Sequence, residues 1–116
     1  MTAASPILVV EDDPALRMVC RVNLELDRFR VREARTLEEA RAAVAEERPA
    51  LVFLDLHLGT GASDRLLDEL RGDGIPVVLV SGTVDVTDYE DRATAVMPKP
   101  FDPAELVAVA HRHALA

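Results

Sequence analysis

The feature that most constrains the fold is an alternation of short apolar runs with longer stretches in which apolar residues recur every three or four positions. The clearest runs are Ile7 to Val10, Leu51 to Leu54 and Ile75 to Val80. Uninterrupted runs of this length are typical of parallel strands that helices cover on both faces, and the longer spacing is typical of amphipathic helices. The sequence therefore predicts repeated βα units around a parallel sheet.

The weaker signals complete five such units. Phe29 to Ala34 is predicted as a second, more exposed strand, and Thr94 to Met97 as a brief fifth strand. Helices are predicted from Pro14 to about Asp27, from a Thr36 cap to before Pro49, through Leu66 and Leu70 to Gly72, and from an Asp102 cap onwards. In the first of these helices, the apolar residues can share most of one face; they are Leu16, Val19, Cys20, Leu24 and Leu26. Between Thr83 and Arg92 apolar residues are few, so the fourth helix is predicted to be short or irregular. We expect a doubly wound α/β sandwich of three layers.

Size and charge exclude several classes of protein. The 116 residues suit one domain, expected to span 1–116. A net charge of -8 disfavours direct binding to nucleic acids or to anionic membranes. The apolar runs are too short to cross a bilayer, and the first residues lack the pattern of a signal peptide, so a cytoplasmic protein is expected. Cys20, the single cysteine, is predicted to fill the core.

Chemically capable residues follow four of the predicted strands. They are Glu11-Asp12-Asp13 after the first strand, Asp55 after the third, Ser81-Gly82 after the fourth and Lys99-Pro100 after the fifth. In open α/β sheets, functional sites lie beyond the carboxyl ends of the strands. Taken singly, these residues are ordinary, since an aspartate before Pro14 can simply cap a helix. Together they predict one site.

The chemistry of this collection is specific. Clustered carboxylates repel one another and stay ionised together only beside a cation. Mg²⁺ prefers oxygen ligands and retains several waters, so it suits two carboxylates, a carbonyl and phosphate oxygens. A lysine and a hydroxyl beside the metal would orient a phosphoryl group, which is most of what phosphoryl transfer requires. Asp55 is then the natural nucleophile.

Four segments resemble the response-regulator receiver domains of bacterial two-component systems, the CheY-like family. They are Val-Val-Glu-Asp-Asp at 9–13, Phe-Leu-Asp-Leu at 53–56, Val-Ser-Gly-Thr at 80–83 and Lys-Pro-Phe at 99–101. The resemblance implies a flavodoxin-like (βα)5 fold with strand order 2-1-3-4-5. It also implies a signalling domain, rather than an enzyme acting on a separate substrate, that catalyses only its own phosphorylation and dephosphorylation. The implied partners are a sensor histidine kinase or phosphotransfer protein and a downstream protein target, and a homodimer is left open.

The resemblance also assigns roles to individual residues. Asp55 would accept the phosphoryl group, and Lys99 and Ser81 would contact it. The implied backbone donors are Leu56 and Gly82. The implied Mg²⁺ ligands are Asp12, Asp55, the carbonyl of His57 and, through a water, Glu11. The Lys99-Pro100 bond resembles the cis peptide of the family.

Val96 departs from the family pattern. It stands three positions before Lys99, where the family usually has an aromatic residue that moves together with the Ser/Thr at position 81. The usual rotameric switch is therefore absent at Ser81 and Val96. The stretch from Ser81 to Lys99 is also about one helical turn shorter than usual.

Three alternatives compete with the receiver interpretation. An aspartyl-phosphatase usually carries a second aspartate two residues after its nucleophile, where this sequence has His57. A flavodoxin-like FMN carrier needs a phosphate loop after the first strand, where Glu11-Asp12-Asp13 would repel phosphate. A pseudoreceiver, an interaction module with the same fold and no phosphorylation-driven switch, remains open as the second interpretation.

Overall fold

The sheet has five parallel strands. The computed structural model describes residues 5–55, 62–82 and 91–114. The strands are β1 (Ile7–Val10), β2 (Val31–Ala34), β3 (Leu51–Asp55), β4 (Val77–Ser81) and β5 (Ala95–Pro98). Their order is β2-β1-β3-β4-β5. The predicted parallel α/β sheet and its strand order are therefore confirmed.

Helices cover both faces of this sheet. They are α1 (Pro14–Leu26), α2 (Leu37–Glu46), α3 (Ala62–Gly72) and α4 (Pro103–His113). Leu8, Val10 and their alternating equivalents in β3 and β4 pack with α2 and α3. Ile7, Val9 and their equivalents pack with α1 and α4. This division follows from the two-residue period of a strand, and it produces the three predicted layers.

Short polar side chains begin three of the helices. The Asp13 carboxylate accepts from the Ala15 N-H at 3.0 Å, and Asp102 accepts from Ala104 N-H at 2.9 Å. The Thr36 hydroxyl accepts from Glu39 N-H at 3.1 Å. Each bond satisfies a backbone donor that has no partner within its own helix. The predicted caps at Thr36 and Asp102 are confirmed, and Asp13 provides the cap before Pro14.

Helix α1 corrects one detail of the sequence interpretation. The pattern groups Val19 and Leu26 with Cys20 and Leu24 on one apolar face. Cys20 and Leu24 are buried, whereas Leu26 is 78% exposed and Val19 is 37% exposed. The prediction for Val19 and Leu26 was wrong because α1 is apolar on two sides, and periodicity alone does not say which side meets the sheet.

The connection between β4 and β5 is described only in part. Residues 91–94 form a turn ahead of β5. The short or irregular helix predicted between Thr83 and Arg92 falls mainly on 83–90, which lie outside the described residues. Across the described ranges, no helix has the length and apolar character that crossing a membrane requires.

Candidate functional site

The register of the sheet brings the polar strand ends to a common edge. Val10 of β1 pairs with Leu54 of β3, so Glu11 follows at the level of Asp55. Ser81 of β4 pairs with Pro98 of β5, so Lys99 follows directly. Because all five strands are parallel, these residues lie at the carboxyl edge, where sites of doubly wound sheets occur.

Alternation along the strands selects the face toward which each side chain projects. Glu11, Asp55 and Lys99 continue the rows of residues that pack with α1 and α4. Ser81 and Val96 belong to the opposite parity, that of the residues packing with α2 and α3. A period of two therefore gathers two carboxylates and an amine on one side of the sheet edge.

The carboxylates of Glu11, Asp12 and Asp55 form a cluster. One oxygen from each lies within 4.8 Å of the others. Asp55 and Glu11 are 2% and 4% exposed, whereas Asp12 is exposed to solvent. Three carboxylates at this spacing offer the all-oxygen ligand set that a hard divalent cation prefers. The cluster that the sequence predicted is present.

Lys99 lies between the two buried carboxylates. Its Nζ is 3.0 Å from Oε1 of Glu11 and 3.3 Å from Oδ2 of Asp55. Burial alone would lower the pKa of the Lys99 ammonium, but the hydrogen bond to Glu11 and the charge of Asp55 raise it above its ordinary value. Lys99 therefore carries its positive charge into the cluster.

Glu11 is fixed by several contacts. Its Oε2 accepts from the Asp13 N-H at 3.2 Å, and its carbonyl accepts from Nη1 of Arg17 at 2.9 Å. Burial raises the pKa of the Glu11 carboxyl to about 7, the hydrogen bond from Lys99 opposes the rise, and the neighbouring Asp55 adds to it. Glu11 is thus a positioned acid whose ionised form depends on nearby positive charge.

Asp55 lies against a small cavity with a largely apolar lining. Its backbone carbonyl accepts from the hydroxyl of Ser63 at 3.3 Å, which ties the end of β3 to the start of α3. Beneath it lies a cavity of about 10 Å³, enough for about one water. The cavity is lined by Val9, Val10, Glu11, Cys20, Phe53, Asp55, Val80, Phe101 and Leu106. Most of this lining is apolar, so Asp55 borders the core that packs with α1 and α4.

The predicted core role of Cys20 is confirmed. The residue is 4% exposed, and burial raises the pKa of its thiol to about 12, with a smaller contribution from Glu11. A thiol that stays protonated at neutral pH is a poor nucleophile. Cys20 therefore contributes packing beneath the site.

The remaining site residues lie in different environments. Ser81 is buried, and its carbonyl accepts from the Lys99 N-H at 2.8 Å. Gly82 is exposed, and an added Cβ there would meet Cβ of Lys99 at 3.6 Å. Val96 packs against the core on the side of α2 and α3. The peptide bond between Lys99 and Pro100 is cis, as the resemblance implied. Leu56 and His57 lie outside the described residues.

Sequence reasoning missed two supporting residues. Arg17, which holds the Glu11 carbonyl, stands one turn into α1, where a cation is typical of a solvated helix face. Ser63, which holds the Asp55 carbonyl, stands in a stretch whose only sequence signal is its glycines. Neither has a local signal, because each role depends on where the fold places a distant backbone carbonyl.

The arrangement defines a class before any comparison with other proteins. A single doubly wound sheet carries at its carboxyl edge a carboxylate cluster, an amine within the cluster and a buried serine on the adjacent strand. Carboxylates, a cationic amine and a hydroxyl together suit the binding of a divalent cation and of phosphate oxygens. The fold and the site together define a doubly wound α/β domain with an acidic site at its strand ends.

The comparisons identify the family within that class. The family model of the response regulator receiver domain matches residues 7–111. The receiver domain of NtrX from Brucella abortus superimposes with a TM-score of 0.81 at 32% identity, covering 92% of this chain and 96% of that one. The chemotaxis protein CheY4 of Vibrio cholerae has a TM-score of 0.84 at 19% identity, covering 96% and 99%, and shows the shared fold. The chain belongs to the response-regulator receiver domains of two-component systems.

Curated relatives agree with this assignment. The chain is 35% identical over 107 residues to the KDP operon transcriptional regulatory protein KdpE of Escherichia coli, a match that covers 88% of this chain and 48% of that protein. It is 37% identical over 112 residues to the DNA-binding response regulator MtrA of Mycolicibacterium smegmatis, covering 92% and 49%. The chain thus spans about half the length of these relatives.

Proposed function

We propose that this receiver domain, residues 1–116, accepts a phosphoryl group on Asp55 in a Mg²⁺-dependent reaction and thereby changes its binding to a protein partner. The observation that carries the proposal is Nζ of Lys99 between Asp55 and Glu11, at 3.3 and 3.0 Å, with Asp12 in the same cluster. Buried carboxylates this close are costly unless they serve a site that supplies positive charge.

The chemical step is a displacement at phosphorus. A carboxylate oxygen of Asp55 attacks the phosphoryl group of a phosphohistidine or of acetyl phosphate, and a P-O bond forms as the P-N or P-O bond of the donor breaks. The electron pair of the broken bond leaves with the imidazole or acetate. The product is an acyl phosphate on Asp55, which water later hydrolyses. Lys99 and Ser81 contact the phosphoryl oxygens, and the backbone N-H groups of Leu56 and Gly82 donate to them.

The residues present fit Mg²⁺. Asp12 and Asp55 would hold the ion directly, and, as the family resemblance implies, Glu11 would act through a water and the His57 carbonyl would complete the protein ligands. The cluster spacing of 4.8 Å and the all-oxygen donors support this assignment. When bound, the ion neutralises charge that develops on the phosphoryl oxygens. The domain catalyses only its own phosphorylation and dephosphorylation.

The proposed partners follow from the family. Receiver domains of response regulators interact with histidine kinases, and for this chain we propose a sensor histidine kinase or phosphotransfer protein as donor and a separate protein as target. Because the net charge is -8, this domain itself does not bind nucleic acid or an anionic membrane. The proposed location is the cytoplasm.

A pseudoreceiver is the second candidate function. Val96 favours it, because this small, partly buried side chain packs in the core where the family usually carries a mobile aromatic ring. A domain of that kind would bind its partner equally well with and without phosphate. The presence of Asp12, Asp55 and Lys99 in one cluster favours the phosphorylated receiver.

Mass spectrometry tests the proposal directly. The protein is incubated with acetyl phosphate and Mg²⁺, and its intact mass is measured at intervals. We expect one phosphoryl group per chain, lost on standing and absent when EDTA replaces the ion. A chain that gains no phosphoryl group from acetyl phosphate or from any phosphorylated kinase overturns the proposal and leaves the pseudoreceiver.

Substitution of Lys99 gives a separate prediction. Lys99→Ala removes the amine that contacts Asp55, and losing one donor of this kind costs on the order of 10²- to 10³-fold in rate. We expect slower phosphorylation and a weakened response of partner binding, measured by mass spectrometry and by calorimetry with the partner.

The control for Lys99 is a second cation whose described partners lie elsewhere. Arg92→Ala removes a guanidinium that pairs with Asp64 and Asp68 on α3. Its rate of phosphorylation should stay near that of the unmodified protein. A Lys99→Ala protein that is phosphorylated and responds normally would exclude the proposed role of the amine.

A further inference from the structure

One buried polar side chain has no part in the proposed chemistry. Within the described part of the chain, the buried polar or charged side chains are Glu11, Asp55, Ser63 and Ser81, and the proposed function uses all of them except Ser63. This residue is 2% exposed and lies in the first turn of α3. A hydroxyl removed from water in this way is costly unless it makes a hydrogen bond. The bond that it makes therefore points to its role.

The hydroxyl of Ser63 donates to the backbone carbonyl of Asp55 at 3.3 Å. A serine in the first turn of a helix can satisfy backbone groups of its own helix, whereas this bond reaches eight residues back to the end of β3. The pairing of β3 with β1 ends at Leu54, and its pairing with β4 ends at Asp55. Ser63 thus holds the last residue of β3 where the sheet stops holding it.

The backbone and the side chain of Asp55 are held from opposite faces of the sheet. Helix α3, which carries Ser63, packs on the same face as α2. The Asp55 carboxylate continues the row of residues that packs with α1 and α4, and it contacts Nζ of Lys99 at 3.3 Å. The two contacts together restrict rotation about the Cα-C bond of Asp55. The carboxylate therefore keeps one direction relative to its backbone.

The same bond also affects a backbone donor. In a planar trans peptide the N-H points opposite to the carbonyl. A contact that fixes the carbonyl of Asp55 therefore fixes the N-H of the same peptide unit, which the proposed function assigns to a phosphoryl oxygen. One hydroxyl thus acts on both the nucleophile and a donor.

We propose that Ser63 is a positioning residue for the phosphorylation of Asp55, acting through the Asp55 peptide unit and without contact to the phosphoryl group. This inference rests on the proposed function. Loss of the hydroxyl leaves the carboxylates of the cluster in place but loosens the alignment of the nucleophile, so the chemical steps should slow while binding is retained. A misplacement of about 1 Å costs roughly 10²-fold in rate, so we expect a loss of at least about tenfold.

Ser63→Ala tests this role through rates measured on the whole chain. Intact mass is followed during labelling by acetyl phosphate with Mg²⁺ and, after the donor is removed, during hydrolysis. Because the same groups contact the phosphoryl oxygens in both steps, the maximal labelling rate and the hydrolysis rate should each fall at least about tenfold. The half-saturating donor concentration and the Mg²⁺ affinity should not change. Unfolding lowers a rate only by the unfolded fraction, which circular dichroism at the assay temperature measures.

Conservative variants separate hydrogen bonding from packing. Ser63→Thr keeps a hydroxyl and should retain both rates within about threefold, and Ser63→Cys, a weaker donor, should fall between the threonine and alanine variants. The order by size is different, because alanine is smaller than serine while cysteine and threonine are larger.

Thr94→Val is the matched control for a lost hydroxyl. Oγ1 of Thr94 accepts from the Val77 N-H at 3.0 Å and from Nη1 of Arg71 at 2.9 Å. Thr94 directly precedes β5 and Val77 begins β4, so these bonds lie at the amino edge of the sheet, away from the site. The unfolding midpoint of this variant should fall, while both of its rates stay near those of the unmodified chain.

The outcomes distinguish two failures. If the unmodified chain gains no phosphoryl group, the proposed function fails and the role of Ser63 fails with it. If the unmodified and Ser63→Ala chains are labelled and hydrolysed at equal rates, the proposed function stands and only the role of Ser63 is overturned. Folded threonine and alanine variants that are equally slow would assign the effect to packing and overturn the proposal. If Ser63→Thr does not fold, a cysteine variant as slow as Ser63→Ala has the same consequence.

Discussion

Asp55→Asn protein is expected to gain no phosphoryl group from acetyl phosphate under conditions that label the unmodified chain. An amide oxygen in place of the carboxylate cannot serve as the nucleophile. Removing the nucleophile of an enzyme costs on the order of 10⁶ in rate, so the phosphorylated species should fall below detection by intact mass. A phosphorylated Asp55→Asn chain would move the acceptor to another residue.

The fold of this variant should be preserved. The hydroxyl of Ser63 contacts the backbone carbonyl of residue 55, which the substitution leaves in place, and Lys99 retains Glu11 as a partner. Circular dichroism should therefore show an unfolding transition close to that of the unmodified chain. Asp13→Asn is the matched control, because it removes an adjacent acid while asparagine caps α1 as well as aspartate does. This control should be phosphorylated normally.

Much of the fold could be predicted because strands enforce a strict period. Once Ile7 to Val10 and Leu51 to Leu54 are identified as buried parallel strands, Glu11 and Asp55 must follow at one edge, and the register confirms that they do. The same period gathers Lys99 with the carboxylates and gives Ser81 the opposite parity. That these side chains meet in one site could be predicted, because it depends only on the alternation of side chains along each strand and on the parallel pairing of the strands.

The residues that were not predicted depend on tertiary geometry. Helix α1 is apolar on two sides, so the pattern could not say that Leu26 faces solvent while Leu24 faces the sheet. Arg17 and Ser63 donate hydrogen bonds to the backbone carbonyls of Glu11 and Asp55. Every residue has a backbone carbonyl, so the sequence does not indicate which carbonyls are bound. Interpretation of single sequences is therefore strongest for side chains at strand ends and weakest for the residues that support them.

Asp12→Ala is expected to remove most of the affinity for Mg²⁺, measured by calorimetric titration or by amide shifts. Asp12 is the exposed member of the cluster, and its oxygen lies within 4.8 Å of oxygens from Glu11 and Asp55. Losing even an outer-shell partner of a metal typically costs about 10- to 100-fold in affinity, so losing a direct ligand should cost at least as much.

The neighbouring acid distinguishes a metal ligand from a general loss of negative charge. Asp13 carries the same charge one residue further on, but its carboxylate caps α1 at the Ala15 N-H. Asp13→Asn keeps that cap and removes the charge, so its Mg²⁺ affinity should change by less than about threefold, the weakening expected where one exposed charge is screened by solvent. Equal losses in Asp12→Ala and Asp13→Asn would mean that the ion responds to the overall field of the acidic edge. A loss of affinity confined to Asp12→Ala would identify Asp12 as a ligand, because of these two neighbouring acids only Asp12 belongs to the carboxylate cluster.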